Sequence, residues 1–450
     1  PARTLYDSII GKGYALQLWD FHLTNTGSGA AIESQVTLYI DLRGDSEVTA
    51  KAEDSAAILT NSRMRISSLV DNSKRHDPDD RVGIGTLTAQ GGAYGVQSTY
   101  SESNGSAVYV SGSATVTAAG ANAGVKAEKA VDLKGVLTAT GTGADSYGVD
   151  ADIDLDYNTS STYGTPLILT AKGGKAAILS APSSFVYRVE KMISTVKVGT
   201  GTDDAADWDK TTELTKYQYA RFMGNGVKEV STFAQLRDAI NPSSNVYRIY
   251  VTKDVEITST LLLRHSFSIV GVGGKAPVLS RGSDFTGVMF QIGSGNTGTG
   301  HVRMQNLVID GSNVTAENSA IYMERPKTSS AGGAQNALGF GTLVMGSRVE
   351  IRNCINKGYK KSESDTTITY STSYAQGNGG AIHATYDSWV TMYPGSRITN
   401  CTAYNGGAVY TDHGTMEYWG TMFSGNTAAS LSENDKNNSP GKQVQYYISG

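Results

Sequence analysis

At 450 residues the chain is long enough for two or three independently cored units. A net charge of −4 with dispersed lysines and arginines excludes the basic stripe of a nucleic-acid-binding surface, and no apolar run approaches the roughly 20 residues that span a bilayer. Fifty-two glycines, nine prolines and 25 tyrosines suit many short strands joined by tight corners.

From the N-terminus, Thr-Ala pairs close strand-like segments at Thr49-Ala50, Thr88-Ala89, Thr117-Ala118, Thr138-Ala139 and Thr170-Ala171. After each comes a short turn and a small-small-aliphatic unit: Ala56-Ala57-Ile58, Tyr94-Gly95-Val96, Ala123-Gly124-Val125, Tyr147-Gly148-Val149 and Ala176-Ala177-Ile178. The intervals between the threonines are unequal, longest from Thr49 to Thr88 and shortest from Thr117 to Thr138. Such a loose repeat predicts a solenoid over residues 1–182, with coil length varied by loops and with Val, Ile and Leu filling the interior. Within it, Asp150, Asp152, Asp154 and Asp156 alternate with apolar residues, so one strand carries four carboxylates on its outer face. They are the candidate metal ligands, for calcium, which takes several oxygens. Neither EF-hand frame fits, and a solvated acidic strand is the competing reading. No other cofactor is expected.

Residues 183–226 change character, with Tyr187, Tyr217, Tyr219 and Phe222 flanking a turn-rich Gly199–Asp204 stretch. An antiparallel strand pair closing the first solenoid is predicted, because solenoid ends expose unpaired edges. From 227, Ser231–Ile240 opens with capping hydroxyls and places Phe233, Leu236, Ala239 and Ile240 on one helical stripe, which predicts an α-helical plug over a first coil. Strand-like runs follow at Tyr247–Val251, Leu261–Leu263, Phe267–Val270 and Val302–Ile309.

The last third carries the sharpest repeat. Gly379-Gly380-Ala381-Ile382 leads to Asn400-Cys401, and Gly406-Gly407-Ala408-Val409 leads to Phe423-Ser424-Gly425-Asn426. The interval from Gly379 to Gly406 falls in the range of a solenoid coil. Asn400 is followed almost at once by its Gly-Gly-Ala unit at Gly406, whereas Asn353 reaches Gly379 only after a long detour. The surplus predicts a loop at about 359–378 extruded from one coil. Alternation places Val390, Met416, Met392 and Tyr418 inward and Trp389, Thr391, Tyr393 and Trp419 outward. Stacked asparagines at the repeated turn are expected to bond along the axis. The fold class is therefore all-β: two parallel β-solenoid units in tandem, the second, 227–450, with a short N-terminal capping helix. Cys354 and Cys401 are the only cysteines and stack on adjacent coils; two free buried thiols are expected, since parallel side-chain vectors fit a disulfide poorly.

The paired Gly-Gly-Ala-(Ile/Val) and Phe-x-x-Asn units resemble the β-helical repeats of bacterial surface proteins and chlamydial polymorphic membrane proteins, within the pectin-lyase-like, right-handed parallel β-helix superfamily. The resemblance covers about half the chain. The N-terminal repeat resembles a second type of Gram-positive surface solenoid, sometimes carbohydrate-binding. These resemblances imply an extracellular adhesin on a bacterial cell surface or wall, binding glycan or a host surface protein. Pro1 at the start and Ser449-Gly450 at the end, without signal or anchor motif, read as a mature chain or an excised, monomeric fragment of a longer one.

The same superfamily contains lyases and glycoside hydrolases, so catalysis is the alternative function. Neither enzyme type's motifs are present. Asp387, Asp412, His383 and His413, and the run His76–Arg81, are the groups weighed for it; solvent-facing turns and a charged loop are the competing readings, and no catalytic residue is assigned. A purely structural spacer is the third reading. For ligand binding the candidates are Trp389, Tyr393, Tyr410 and Trp419, because flat rings on a rigid sheet bury large area at low entropic cost.

Overall fold

Parallel strands stacked in register dominate both halves of the chain. The computed structural model describes residues 15–68, 85–102, 105–111, 114–154, 167–180, 189, 192–201, 205–210, 212–293, 300–323, 341–356, 377–385, 388–411 and 414–428. Two units are distinguished, Pro1–Lys228 with Asn245–Arg248, and Glu229–Ser244 with Ile249–Gly450.

In the first unit each coil lays down three strands, as in Leu38–Arg43, Asp45–Ala50 and Ala56–Thr60. Period-two alternation sends every second residue inward, and stacking turns those residues into columns. Leu38, Met64, Val108, Val131 and Ile153 form one. Leu87, Val116, Leu137 and Leu169 form another. Ile32, Ile58, Val96, Val125, Val149 and Ile178 form a third. All are buried, and each such side chain contributes about 1.5–3 kcal/mol of transfer free energy. The third column contains the aliphatic residue of every small-small-aliphatic unit.

Thr88, Thr117, Thr138 and Thr170 also stack in one column. Thr49 does not: Glu47 stands opposite Thr88, and Thr49 opposite Gln90. The interior explains the shift. Ser46, Val48 and Ala50 are the inward residues of that strand, and Val48 takes the place held by the alanine of the later Thr-Ala pairs. The eight-residue strand Tyr147–Asp154 belongs to two faces. Its start pairs with Ala123–Ala127, and its end, at Ile153, pairs with Val131. At the far end Tyr219–Gly224 runs antiparallel to Ile168–Lys172 and to Ile193–Gly199, covering the last coil with buried Ala220 and Phe222.

The second unit winds four sheets, of seven, six, five and four strands. Its helix, Phe233–Ala239, is capped by Thr232, whose side chain accepts from Gln235 N, while Gln235 Oε1 accepts from Ser231 N. Leu236, Ala239 and Ile240 are buried. The corners repeat as strictly as the strands. Asn306, Arg348, Gly395 and Gly420 occupy one corner column, each at positive φ; Asn353, Asn400 and Gly425 occupy a second, and Gly379 and Gly406 a third. One such residue per corner turns the chain from one sheet to the next, a task suited to Gly and Asn.

Two expectations are corrected here. The single run Val302–Ile309 is two strands, His301–Gln305 and Leu307–Asp310, broken at left-handed Asn306, whose Nδ2 donates to Gly271 O and Gly273 O. The asparagine stack is not Asn400 on Asn426. Asn400 stacks on Gly425, where an added Cβ would lie 2.3 Å from Asn400 Oδ1. Asn426 meets the next position, accepting from Cys401 N and donating to Ile398 O. Asn405 donating to Asn378 Oδ1 at 2.8 Å is the axial side-chain bond. Ile355 stacks on Thr402 and Ile382 on Val409, yet the path from Ile355 to Ile382 is far longer than that from Thr402 to Val409. Extra chain is therefore added in that coil; 357–376 lie outside the described residues.

Candidate functional site

The aromatic candidates fall on two sheets rather than one. Trp389 is half-buried in an outward column with His301, Thr342 and Thr415, and His301 Nδ1 lies 2.9 Å from Thr342 Oγ1. Tyr393, one residue past the same strand, is only 3% exposed, so it is not the outward ring expected. Its N–H reaches Met345 O, and Trp419 N–H reaches Met392 O. This register places Tyr393 between side-chain-free Gly346 and Trp419, and the ring is enclosed. Outward Thr391 is buried as well. Trp419, at 46%, and Tyr418, at 47%, are exposed on the last described coil. Tyr418 keeps its inward register opposite Met392 and is exposed because no described coil stacks on it.

Tyr410 belongs to another sheet. There Gln291, Tyr322, His383 and Tyr410 stand in one outward column. The Tyr322–His383 and His383–Tyr410 ring centroids are each 5.3 Å apart, edge to face, the arrangement that ring quadrupoles favour. Tyr322 and His383 are buried and Tyr410 is half-buried. The Gly-Gly-Ala period joins His383 to Tyr410 in the sequence; Tyr322, much further upstream, is hidden by the added loops.

Rings that the sequence reading passed over lie on the first unit. Trp19, 37% exposed, has the Arg43 guanidinium 5.5 Å from its centroid, while Tyr109 has Arg65 at 4.9 Å and Lys134 at 5.5 Å. Tyr39 is the register neighbour of Arg65. Burial raises the Tyr109 hydroxyl pKa, against the opposing pull of Lys134 and Arg65. Stacked coils therefore alternate cation and ring along the axis, each pair contributing about 0.5–1 kcal/mol at such exposed sites.

Among the carboxylates, Asp150 is held by Lys126, with Nζ 3.4 Å from Oδ2. Burial acts to lower the Lys126 pKa, and the charge and hydrogen bond of Asp150 together with Tyr94 and Glu128 outweigh it, leaving it raised. Asp154 stands opposite Asp132, Asp152 is exposed, and Asp156 lies outside the described residues, as do Asp387, Asp412, His413 and the run 76–81. Among the described residues no three His, Cys, Asp or Glu gather as a metal site. A second acidic group, not foreseen, sits on the second unit. Arg352 Nε binds Asp310 Oδ2 at 2.8 Å, and Thr399 Oγ1 donates to Glu350 Oε1 at 2.9 Å. Burial acts to raise the Asp310 pKa; bonds from Ser312 N, Arg352 and Asn353 overcome it and hold the carboxyl below its ordinary value.

No helix among the described residues is long and apolar enough to cross a membrane. No protein-family model matches the chain, and comparison with curated proteins and with solved structures gave no match.

Proposed function

We propose that this chain is a non-catalytic binding and display segment of a bacterial surface protein, holding glycan against aromatic rings fixed on a β-solenoid. The observation that carries this reading is the exposure of outward Trp419, one residue past a strand whose register with the preceding coils is unbroken. Backbone hydrogen bonds to the preceding coil, Trp419 N to Met392 O among them, hold this one, so a ring presented there loses little conformational entropy on binding, and tryptophan is enriched among the residues that dominate interface energy. The proline-poor, glycine-rich repeats and their resemblance to pectin-lyase-like surface proteins support an extracellular setting.

A glycan array tests it. Binding that Trp419→Ala weakens by about tenfold, or ~1.4 kcal/mol, is the expected result. An array without signal at high protein concentration overturns the binding reading and leaves a spacer. New reducing ends or unsaturated products from pectic or mucin glycans would replace it with polysaccharide cleavage.

A further inference from the structure

One outer face of the first unit holds two arginines that no carboxylate answers. It is built on the strands Ala15–Trp19, Leu38–Arg43, Met64–Ser68 and Val108–Val110, which pair in parallel in that order. Ile40, Leu42, Ile66, Val108 and Val110 are buried on the inner face, so alternation turns Trp19, Tyr39, Arg43, Arg65 and Tyr109 outward. Tyr39, Arg65 and Tyr109 stack in one column, and Trp19 stacks on Arg43 in another. Trp19 and Tyr39 are each 37% exposed, and Arg65 is exposed as well.

The two guanidiniums are engaged on one side only. Arg43 lies 5.5 Å from the Trp19 centroid and Arg65 lies 4.9 Å from that of Tyr109. A stacked guanidinium gives its flat face to the ring and keeps its in-plane N–H fork for an acid group. Among the described residues neither arginine makes an ion pair, and Arg43 Nε has no hydrogen-bond partner. Asp41, between Tyr39 and Arg43 on the same face, accepts instead from Ser67 Oγ at 2.5 Å. Asp132 follows Tyr109 in its column. The arginines spring from backbone positions roughly 14 Å apart, four residues along a strand and one strand spacing.

We propose that this face binds an anionic glycan with an acid group on every second sugar, Arg43 and Arg65 taking the acid groups of separate repeats while the exposed rings of Trp19 and Tyr39 lie against sugar faces. Cations and rings in alternation suit a chain in which charged and neutral sugars alternate. The acid groups need the N–H forks, and the apolar faces of the sugars need flat aromatic surface. Asp41 between the arginines and Asp132 beyond Tyr109 act against a polymer charged on every sugar, whose intermediate acid groups would meet carboxylates. The parallel register holds these groups at fixed spacing, so little ordering is needed on binding. The face belongs to the first unit and makes no use of Trp419; it shares with the function proposed above only the ligand class, glycan.

The test titrates the full chain calorimetrically with hyaluronan oligosaccharides, which carry a carboxylate on alternate sugars, beside neutral dextran and densely sulfated heparin. Hyaluronan is expected to bind more tightly than either, with affinity that falls as salt rises. Arg43→Gln and Arg65→Gln should each weaken it about tenfold or more, the loss of a charge-assisted contact. Asp41→Asn should tighten binding, a gain that a folding defect cannot imitate, and it decides the matter if the arginine variants do not fold. Trp419→Ala should leave hyaluronan affinity unchanged. Dextran or heparin bound at least as tightly, affinity indifferent to both arginines, or no hyaluronan binding at all would overturn the proposal. A glycan-array signal that depends on Trp419 while hyaluronan stays unbound removes this face and leaves the function proposed above standing.

Discussion

Gly124 shows how little room one residue has in a stacked coil. Its φ is not left-handed, yet an added Cβ would sit 2.3 Å from Thr140 N and 2.6 Å from Ala118 O. Backbone cannot swing aside as a side-chain tip can, so Gly124→Ala should lower stability by about 1–3 kcal/mol, read from the denaturant midpoint; an unchanged midpoint would show that the coils part freely there. Asp310 carries a pH dependence. Its folded-state pKa lies below the ordinary 3.8, so its contribution is complete above that value and is lost as pH falls through the folded-state value. Arg352→Ala should therefore cost up to about 1 kcal/mol near neutrality and less once pH has fallen through the folded-state value. A loss equal at both pH values would count against the ion pair. Residue-scale burial was the least legible quantity in the sequence. Alternation gave the register of Tyr393 and Trp419, but not that one is enclosed and the other exposed, because that depends on what covers the outer face.

Elements were legible wherever local chemistry marks their ends. Thr232 and Gln235 announce the helix start, and the helix is there. The run around Asn306 reads as one strand from its apolar residues on either side, although alternation from buried Val302 and Met304 puts Asn306 on the inner face, and that break in alternation is the mark of the corner. Thr49 misled in the opposite way: a repeated dipeptide resembles a register mark, while inward volume at Val48 decides the register. The antiparallel strand Tyr219–Gly224 gives the element-scale test. Phe222 is fully buried in it, so Phe222→Ala should cost about 3–5 kcal/mol. The loss should appear first as weakened amide protection in Ile168–Lys172, its pairing partner. Protection lost first near Leu38–Arg43 would contradict that placement.

On the scale of the whole molecule, stacking was the most legible property, since a period is shared by every coil and survives errors at single positions. The extra chain between Ile355 and Ile382 was legible from the surplus between repeats, whereas the pairing of distant coils, such as Tyr322 with His383, was not, because nothing local encodes a neighbour so far along the chain. Those separations have a mechanical meaning. In the second unit Val302 stacks on Leu343, Leu343 on Val390 and Val390 on Met416, and the three intervals are unequal. A chain peeled from its last coil backwards would lengthen in steps of about 90, 160 and 140 Å, at roughly 3.4 Å per extended residue. Single-molecule stretching should record that sequence, and one abrupt release of the whole unit would refute it. A tether built this way yields under load in instalments, and its longest increments are stored in the coils that carry the extra loops.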